Sequence, residues 1–478
     1  MAPEARIRAN RDGDFAMIDS TKTASAPMVP VTVPRPESVP DDGCDVLVIG
    51  GGPAGSTIAA LLAAQGRDVV LLEKAHHPRF HIGESLLPAN AELFEQLGVL
   101  EQVERIGIHK FGIEFVSPDH EHHSHLDYSE AWDKAQPYAW QVRRSELDEL
   151  LFRNAAARGA RTIEGCRVRE VTFDTEGATV GTELGDGARR RWRARFVVDA
   201  SGRDTFLASK LECKKKNPRH NTSALFGHYT GARRLPGRQE GNISLVWFRY
   251  GWFWFIPLAD GTTSVGAVCW PYYLKSRDKP VPQFFDDTIA LCPELADRLK
   301  GATRVDDAVH ATGNYSYSST HSSGDRYLLL GDAFTFIDPM FSSGVYLAMQ
   351  GAFDGVDVVA ARLDRPAAAA KARKRFDARM RRGPREFSWF IFRVTNPTIR
   401  HLFMYPANPL RVKEALMSLL AGDVFGRSPI QPSLWVLKGI YYLISIRHLR
   451  RSFRGWRQRG NNIRDMGPLV GEKVLDVD

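Results

Sequence analysis

Apolar positions along the chain change their period several times, and each change marks an element. They run unbroken through CDVLVI (44–49), recur every three or four residues through STIAALLAAQG (56–66), and run unbroken again through RDVVLLE (67–73). Short apolar runs predict buried strands and the helical period predicts an amphipathic helix, so the order here is strand, helix, strand. A third pattern fills RYGWFWFIPLADGTTSV (249–265), where pleating puts Trp252 and Trp254 on one face of a strand and Phe253 and Phe255 on the other. The last third returns to a helical period, with Phe, Trp, Tyr and Met crowded into 388–425. At the other end, prolines and acids interrupt every apolar run before residue 43. This predicts a disordered tail over 1–42 with no signal-peptide pattern.

The turn between the first strand and helix carries chemistry. Gly50, Gly52 and Gly55 fit G-x-G-x-x-G, with Pro53 and Ala54 between them. Such a turn lets a pyrophosphate approach bare backbone at a helix N-terminus. Glu73 ends the second strand 23 residues after Gly50, where a carboxylate accepts ribose hydroxyls, and Lys74 follows it. An adenine dinucleotide is the expected ligand. Three later stretches favour FAD over NAD: WQVRRSELDELL (140–151), with Arg144 at a helix start; FVVDASGRDTF (196–206); and RYLLLGDAFTFIDPMFSSGVYLAMQGA (326–352), with Asp332 after a strand. No second glycine motif follows an apolar strand, so no dedicated NAD(P)H site is expected.

Composition narrows the class. The 478 residues carry a net charge of 64 − 56 = +8, concentrated in KARKRFDARMRRGPR (371–385) and RHLRRSFRGWRQR (447–459). No nucleic-acid module accompanies these runs, so an acidic protein or a membrane surface is the candidate partner. GIYYLISI (439–446) falls well short of the roughly 20 residues that cross a bilayer. Five scattered cysteines show no metal spacing, so no metal site is expected and a reducing, cytoplasmic setting is.

The glycine turn, Asp-Ala-Ser-Gly and Gly-Asp, in this order, resemble flavoproteins of the p-hydroxybenzoate hydroxylase fold over roughly residues 44–360. WFWFIP resembles the W-x-W-x-I-P pattern of flavin-dependent halogenases through Trp252, Trp254, Ile256 and Pro257. FIDPMFSSG (336–344) resembles their F-x-x-P-x-x-S-x-G through Phe336, Pro339, Ser342 and Gly344. HPRFHIGESLLP (77–88) resembles the segment around Gly-Glu-Ser, here Glu84 and Ser85, that precedes the halogenase lysine; Lys110, in GIHKFGIEFVSP, takes that place. The resemblance implies an α/β fold. Its Rossmann-like FAD-binding domain would span 43–105, 145–210 and 305–360. A mixed β-sheet substrate domain would take 106–144 and 211–304, and a helical cap 361–478. It implies reduced FAD from a separate NAD(P)H-dependent flavin reductase, and a chloride or bromide held by the amides of Ser343 and Gly344. Hypohalous acid would pass through Lys110 to an aromatic substrate, with Trp252 and Trp254 keeping the ring from the flavin. Tryptophan-type halogenases carry a glutamate where this chain has Phe341. Together with Ser342 and its neighbours this resembles the phenol and pyrrole branch, whose substrates can be tethered to acidic acyl carrier proteins. A flavin hydroxylase or epoxidase of the same fold, or an isoprenoid-chain reductase, is the alternative.

Overall fold

The computed structural model describes residues 42–464 apart from 307 and 427; the expected tail lies outside these, except for Asp42, which opens the first strand. Two large sheets form the framework. The first is built on parallel strands in the order Arg161–Ile163, Val69–Leu72, Asp42–Ile49 and Arg189–Asp199. The long last strand pairs antiparallel with Ala178–Leu184 through its first half, and parallel with Tyr327–Leu329 at its end. Ile49 and Asp199 lie side by side at the sheet's carboxyl edge, the edge at which such sheets bind ligands.

The second sheet runs from Thr303–Arg304 through Thr222–Thr230, Thr263–Cys269, Gly251–Pro257, Ile243–Phe248 and Gly112–Val116 to Ser124–Asp127. It extends past residue 304, because His310–Tyr315 also pairs with Thr222–Thr230. All seven residues of Gly251–Pro257 are buried. Trp252, Trp254 and Ile256 join the core shared with the first sheet, whereas Phe253 and Phe255 join a separate core under the helix Val281–Ala290. The alternation expected from the pleat holds. On that second face Arg298 donates to both oxygens of Glu114 at 2.8 Å and to Ser244 Oγ at 2.9 Å. Both charges are nearly inaccessible, and the bidentate geometry stabilises them in a dry setting.

The helix Gly344–Asp364 packs along Pro53–Ala64, and Gly355 permits the close approach: a Cβ there would lie 3.2 Å from Ile58 Cδ1. Pro366–Ile391, Pro397–Met404, Val412–Leu420, Gln431–Arg447 and Leu449–Ile463 follow. Among the described residues no helix is long and apolar enough to cross a membrane. The five cysteines are buried free thiols.

Candidate active site

A cavity of about 760 Å³ opens at the carboxyl edge of the first sheet and runs under the tryptophan face of the second. Two helices present their N-termini to it, through Gly52, Pro53 and Ala54, and through Ser343, Gly344 and Val345. The glycine turn is shaped by close contacts. A Cβ on Gly50, whose φ is +99°, would sit 2.4 Å from Ala200 O, and one on Gly55 would sit 1.9 Å from Gly50 O. Gly52 differs: its nearest obstacle is Arg79 Nη2 at 3.6 Å, which leaves bare backbone facing the cavity. That combination fits a pyrophosphate.

Glu73 lines the cavity while accepting from the backbone N–H groups of Gly51 at 2.8 Å and Ala75 at 3.0 Å. It therefore holds the turn in shape and keeps lone pairs for a ribose. Lys74 pairs with Asp204. Arg144 lines the cavity but is engaged within the protein, donating to both oxygens of Asp148 (2.8 and 3.1 Å) and to Ile82 O (2.9 Å). Arg79, which the sequence reading missed, is the guanidinium beside Gly52; it bridges Asp148 and Glu73. Asp332 is half-buried on the cavity wall, and among the described residues no side chain donates to its carboxylate. Burial raises its pKa to about 6 against the opposing charges of Arg203 and Arg144. An unengaged acid there fits a hydroxyl-bearing ligand such as the ribityl chain of FAD.

The two indoles stand 6.2 Å apart on the cavity wall, and Trp254 Nε1 donates to Ser264 Oγ at 3.1 Å. Gly266 on the neighbouring strand makes room, since a Cβ there would lie 2.2 Å from Trp254 Cζ2. Phe336, Pro339, Ser342, Ser343 and Gly344 also line the cavity, whereas Pro257 is buried off it. Ser342 is left-handed (φ 56°) and Ser343 caps the helix without a side-chain hydrogen bond. The first amides of a 21-residue helix are thus directed at the cavity, a setting that suits an anion. Phe341 does not line the cavity. It is buried between Phe387 and Phe403, with ring centroids 6.5 and 6.3 Å away. Asp338, three residues earlier, does line it, and accepts from Thr222 Oγ1 (3.0 Å), with His220 Nε2 2.7 Å away.

Lys110 ends the strand Gly107–Lys110 and is completely buried. Its amine donates to Ser85 Oγ at 2.9 Å and Leu86 O at 3.1 Å, with the Tyr128 ring 5.4 Å away. No carboxylate pairs with it among the described residues. Burial alone lowers its pKa from 10.5 to about 7. The lysine is not on the cavity wall; Ser85 is, so one hydroxyl separates amine from cavity. Beside it, Glu84 Oε1 lies 2.6 Å from His228 Nε2, and the other carboxylate oxygen is buried without a partner. His220, His228 and Asp338 escaped the sequence reading because each acquires its partner from 116 or more residues away.

The chain matches the FAD-binding-domain family over residues 43–372 and belongs to it. Within that class it is a member of the flavin-dependent halogenases. It is 35% identical over 343 residues to the flavin-dependent halogenase armH3 of Armillaria mellea, covering 66% of this chain and 67% of that one. It is 36% identical over 315 residues to a tryptophan 2-halogenase of Chondromyces crocatus, covering 64% and 59%. The alignments thus span about two thirds of these relatives' length or less. The myxobacterial chondrochloren halogenase CndH shares the fold with a TM-score of 0.71 at 31% identity, over 81% of this chain and 92% of that chain.

Proposed function

We propose that this chain is the halogenating component of a two-component system that takes FADH2 from a separate NAD(P)H-dependent flavin reductase. Gly50 to Gly55, Glu73, Arg79 and Asp332 would hold the cofactor. When bound, reduced FAD supplies the two-electron chemistry FADH2 + O2 + X⁻ + H⁺ → FAD + HOX + H2O, with X chloride or bromide. The amides of Ser343 and Gly344 hold the halide at the start of their helix. Trp252 and Trp254 keep an aromatic ring away from the cofactor, so that halogen rather than oxygen reaches it. Lys110 then receives hypohalous acid past Ser85 and directs it onto the ring, ArH + HOX → ArX + H2O.

The observation that supports this most is Lys110 itself. It is a buried amine without a carboxylate partner, half neutral near pH 7, one hydroxyl behind the cavity wall. A fully charged surface lysine would have no free lone pair to offer. The ring is proposed to be an electron-rich phenol or pyrrole, because Phe341 supplies no carboxylate to remove a ring proton. A ring tethered to an acidic carrier protein draws less support. In the basic run 371–385, Arg375 pairs with Asp357, Arg379 with Asp354, and Arg381 donates to Thr320 O, so these three are engaged within the protein.

The test supplies purified protein with an unrelated flavin reductase, FAD, NADH, oxygen and halide, plus a trap for hypohalous acid and a phenol probe. Halide-dependent hypohalous acid is expected from the wild type. Lys110→Ala is expected to keep making it while failing to halogenate the probe. Oxygenated product without any need for halide would overturn the proposal in favour of a hydroxylase.

A further inference from the structure

The last two helices carry a surface that the cavity does not use. Trp435, Leu443, Ile446, Leu449, Phe453 and Trp456 are each 57 to 69% exposed. Together with Tyr442 they make up about half of the exposed large hydrophobic side chains among the described residues. Leu449, Phe453 and Trp456 follow an i, i+4, i+7 spacing, so they form one stripe along the helix Leu449–Ile463. Arg450, Arg454 and Arg457 form the adjoining stripe, with Arg447 and Arg451 nearby. All five arginines are exposed, and none has an ion-pair partner among the described residues. Between residues 428 and 464 the sequence has no Asp or Glu.

An adjoining side of the same helix is anchored. Arg459 donates to Arg219 O at 2.7 Å and lies over the rings of Trp270 and Phe392, and burial pulls its pKa down to about 10. Gly455 comes close enough to Pro397 that a Cβ would meet its Cδ at 3.3 Å. The apolar stripe is therefore an outward face of a helix held firmly by an adjoining one. Exposed Trp, Leu, Ile and Phe rimmed by unpaired arginines match the two layers of an anionic bilayer surface, apolar chains below and phosphates above. An acidic protein would satisfy the arginines but would need an apolar face of its own to cover the stripe.

We infer that the helices Gln431–Arg447 and Leu449–Ile463 dock this protein peripherally on an anionic lipid bilayer. The inference does not rest on the halogenase reading, and its test involves no turnover. The full chain is sedimented with phosphatidylcholine vesicles and with vesicles containing about one third phosphatidylglycerol, at low and high salt. Binding is expected to the anionic vesicles, to weaken with salt, and to shift Trp fluorescence to the blue. Arg450→Gln/Arg451→Gln/Arg454→Gln is expected to weaken it about a hundredfold, at about fivefold per basic residue. Leu449→Ser/Phe453→Ser/Trp456→Ser is expected to abolish it, with FAD binding as the control for folding. Should that apolar variant fail to fold, the arginine variant and the salt series decide. Three results would each overturn the inference. One is absent or charge-independent vesicle binding. Another is a dimer in solution that the apolar variant dissolves. The last is docking of an acidic carrier protein through these arginines with no vesicle binding.

Discussion

Replacing Lys110 by methionine separates the physical argument about this amine from the chemical one. Methionine fills a similar volume without charge, so the variant removes the titration together with the hydrogen bonds to Ser85 and Leu86, and only the titration makes the difference depend on pH. In the folded protein the amine titrates near 7 instead of 10.5 because it is completely buried. The difference, 10.5 − 7, corresponds to about 5 kcal/mol at roughly 1.4 kcal/mol per unit. Below pH 7 both states hold the proton and the folded state carries that full cost. Between pH 7 and 10.5 the unfolded chain still holds the proton and the folded one does not, so stability rises with pH. Integrated from pH 7 to pH 9, the wild type gains about 2 kcal/mol over Lys110→Met. Urea unfolding of both proteins at the two pH values reads this directly. Parallel stabilities across that interval would refute the depressed pKa, and with it the supply of neutral amine. In turnover, probe halogenation by the wild type is expected to rise with pH through about 7, while hypohalous acid formation does not follow that midpoint.

Gly50 and Gly52 separate architecture from cofactor approach. Gly50→Ala, with its Cβ against Ala200 O, is expected to lower the melting temperature and abolish FAD binding. Gly52→Ala, whose Cβ enters open cavity, is expected to fold normally and weaken FAD binding about tenfold or more by flavin fluorescence titration. Arg298→Met strands Glu114 in a dry core and is expected to cost about 3–5 kcal/mol of unfolding free energy. Most of that loss should return in the double variant with Glu114→Gln. Gly266→Val drives a branched Cβ into Trp254; it is expected to destabilise by about 1–3 kcal/mol. The same variant should lower halogenated product per oxygen consumed while FAD affinity holds.

Local pattern carried far into the site. The glycine turn, its strand and helix, and the acid closing the second strand all lie within Cys44–Lys74, so short-range rules reach them, and the structure assembles them as read. The alternation of WFWFIP likewise follows from the pleat alone, and the two faces do enter different cores. Phe341 shows where the reading stopped. Its place in the loop follows from the motif, but Phe387 and Phe403, far along the chain, draw it off the cavity. Arg144, read as a ligand for the cofactor, does line the cavity, while Asp148 one helical turn on accepts from its Nε and Nη2 and Ile82 O accepts from its Nη1, pairings that the motif alone does not show.

By itself the sequence determined which residue types meet which turn, because glycine conformations, helix starts and pleat alternation depend on neighbours a few positions apart. Burial and partnership belong to the tertiary structure. That Lys110 loses water completely, that Glu84 meets His228, that Asp338 meets His220, and that Arg459 is half-buried while Arg457 is exposed, all depend on segments brought together from distant parts of the chain. Desolvation and charge pairing act over a few ångströms of space, and no spacing along the sequence encodes that distance.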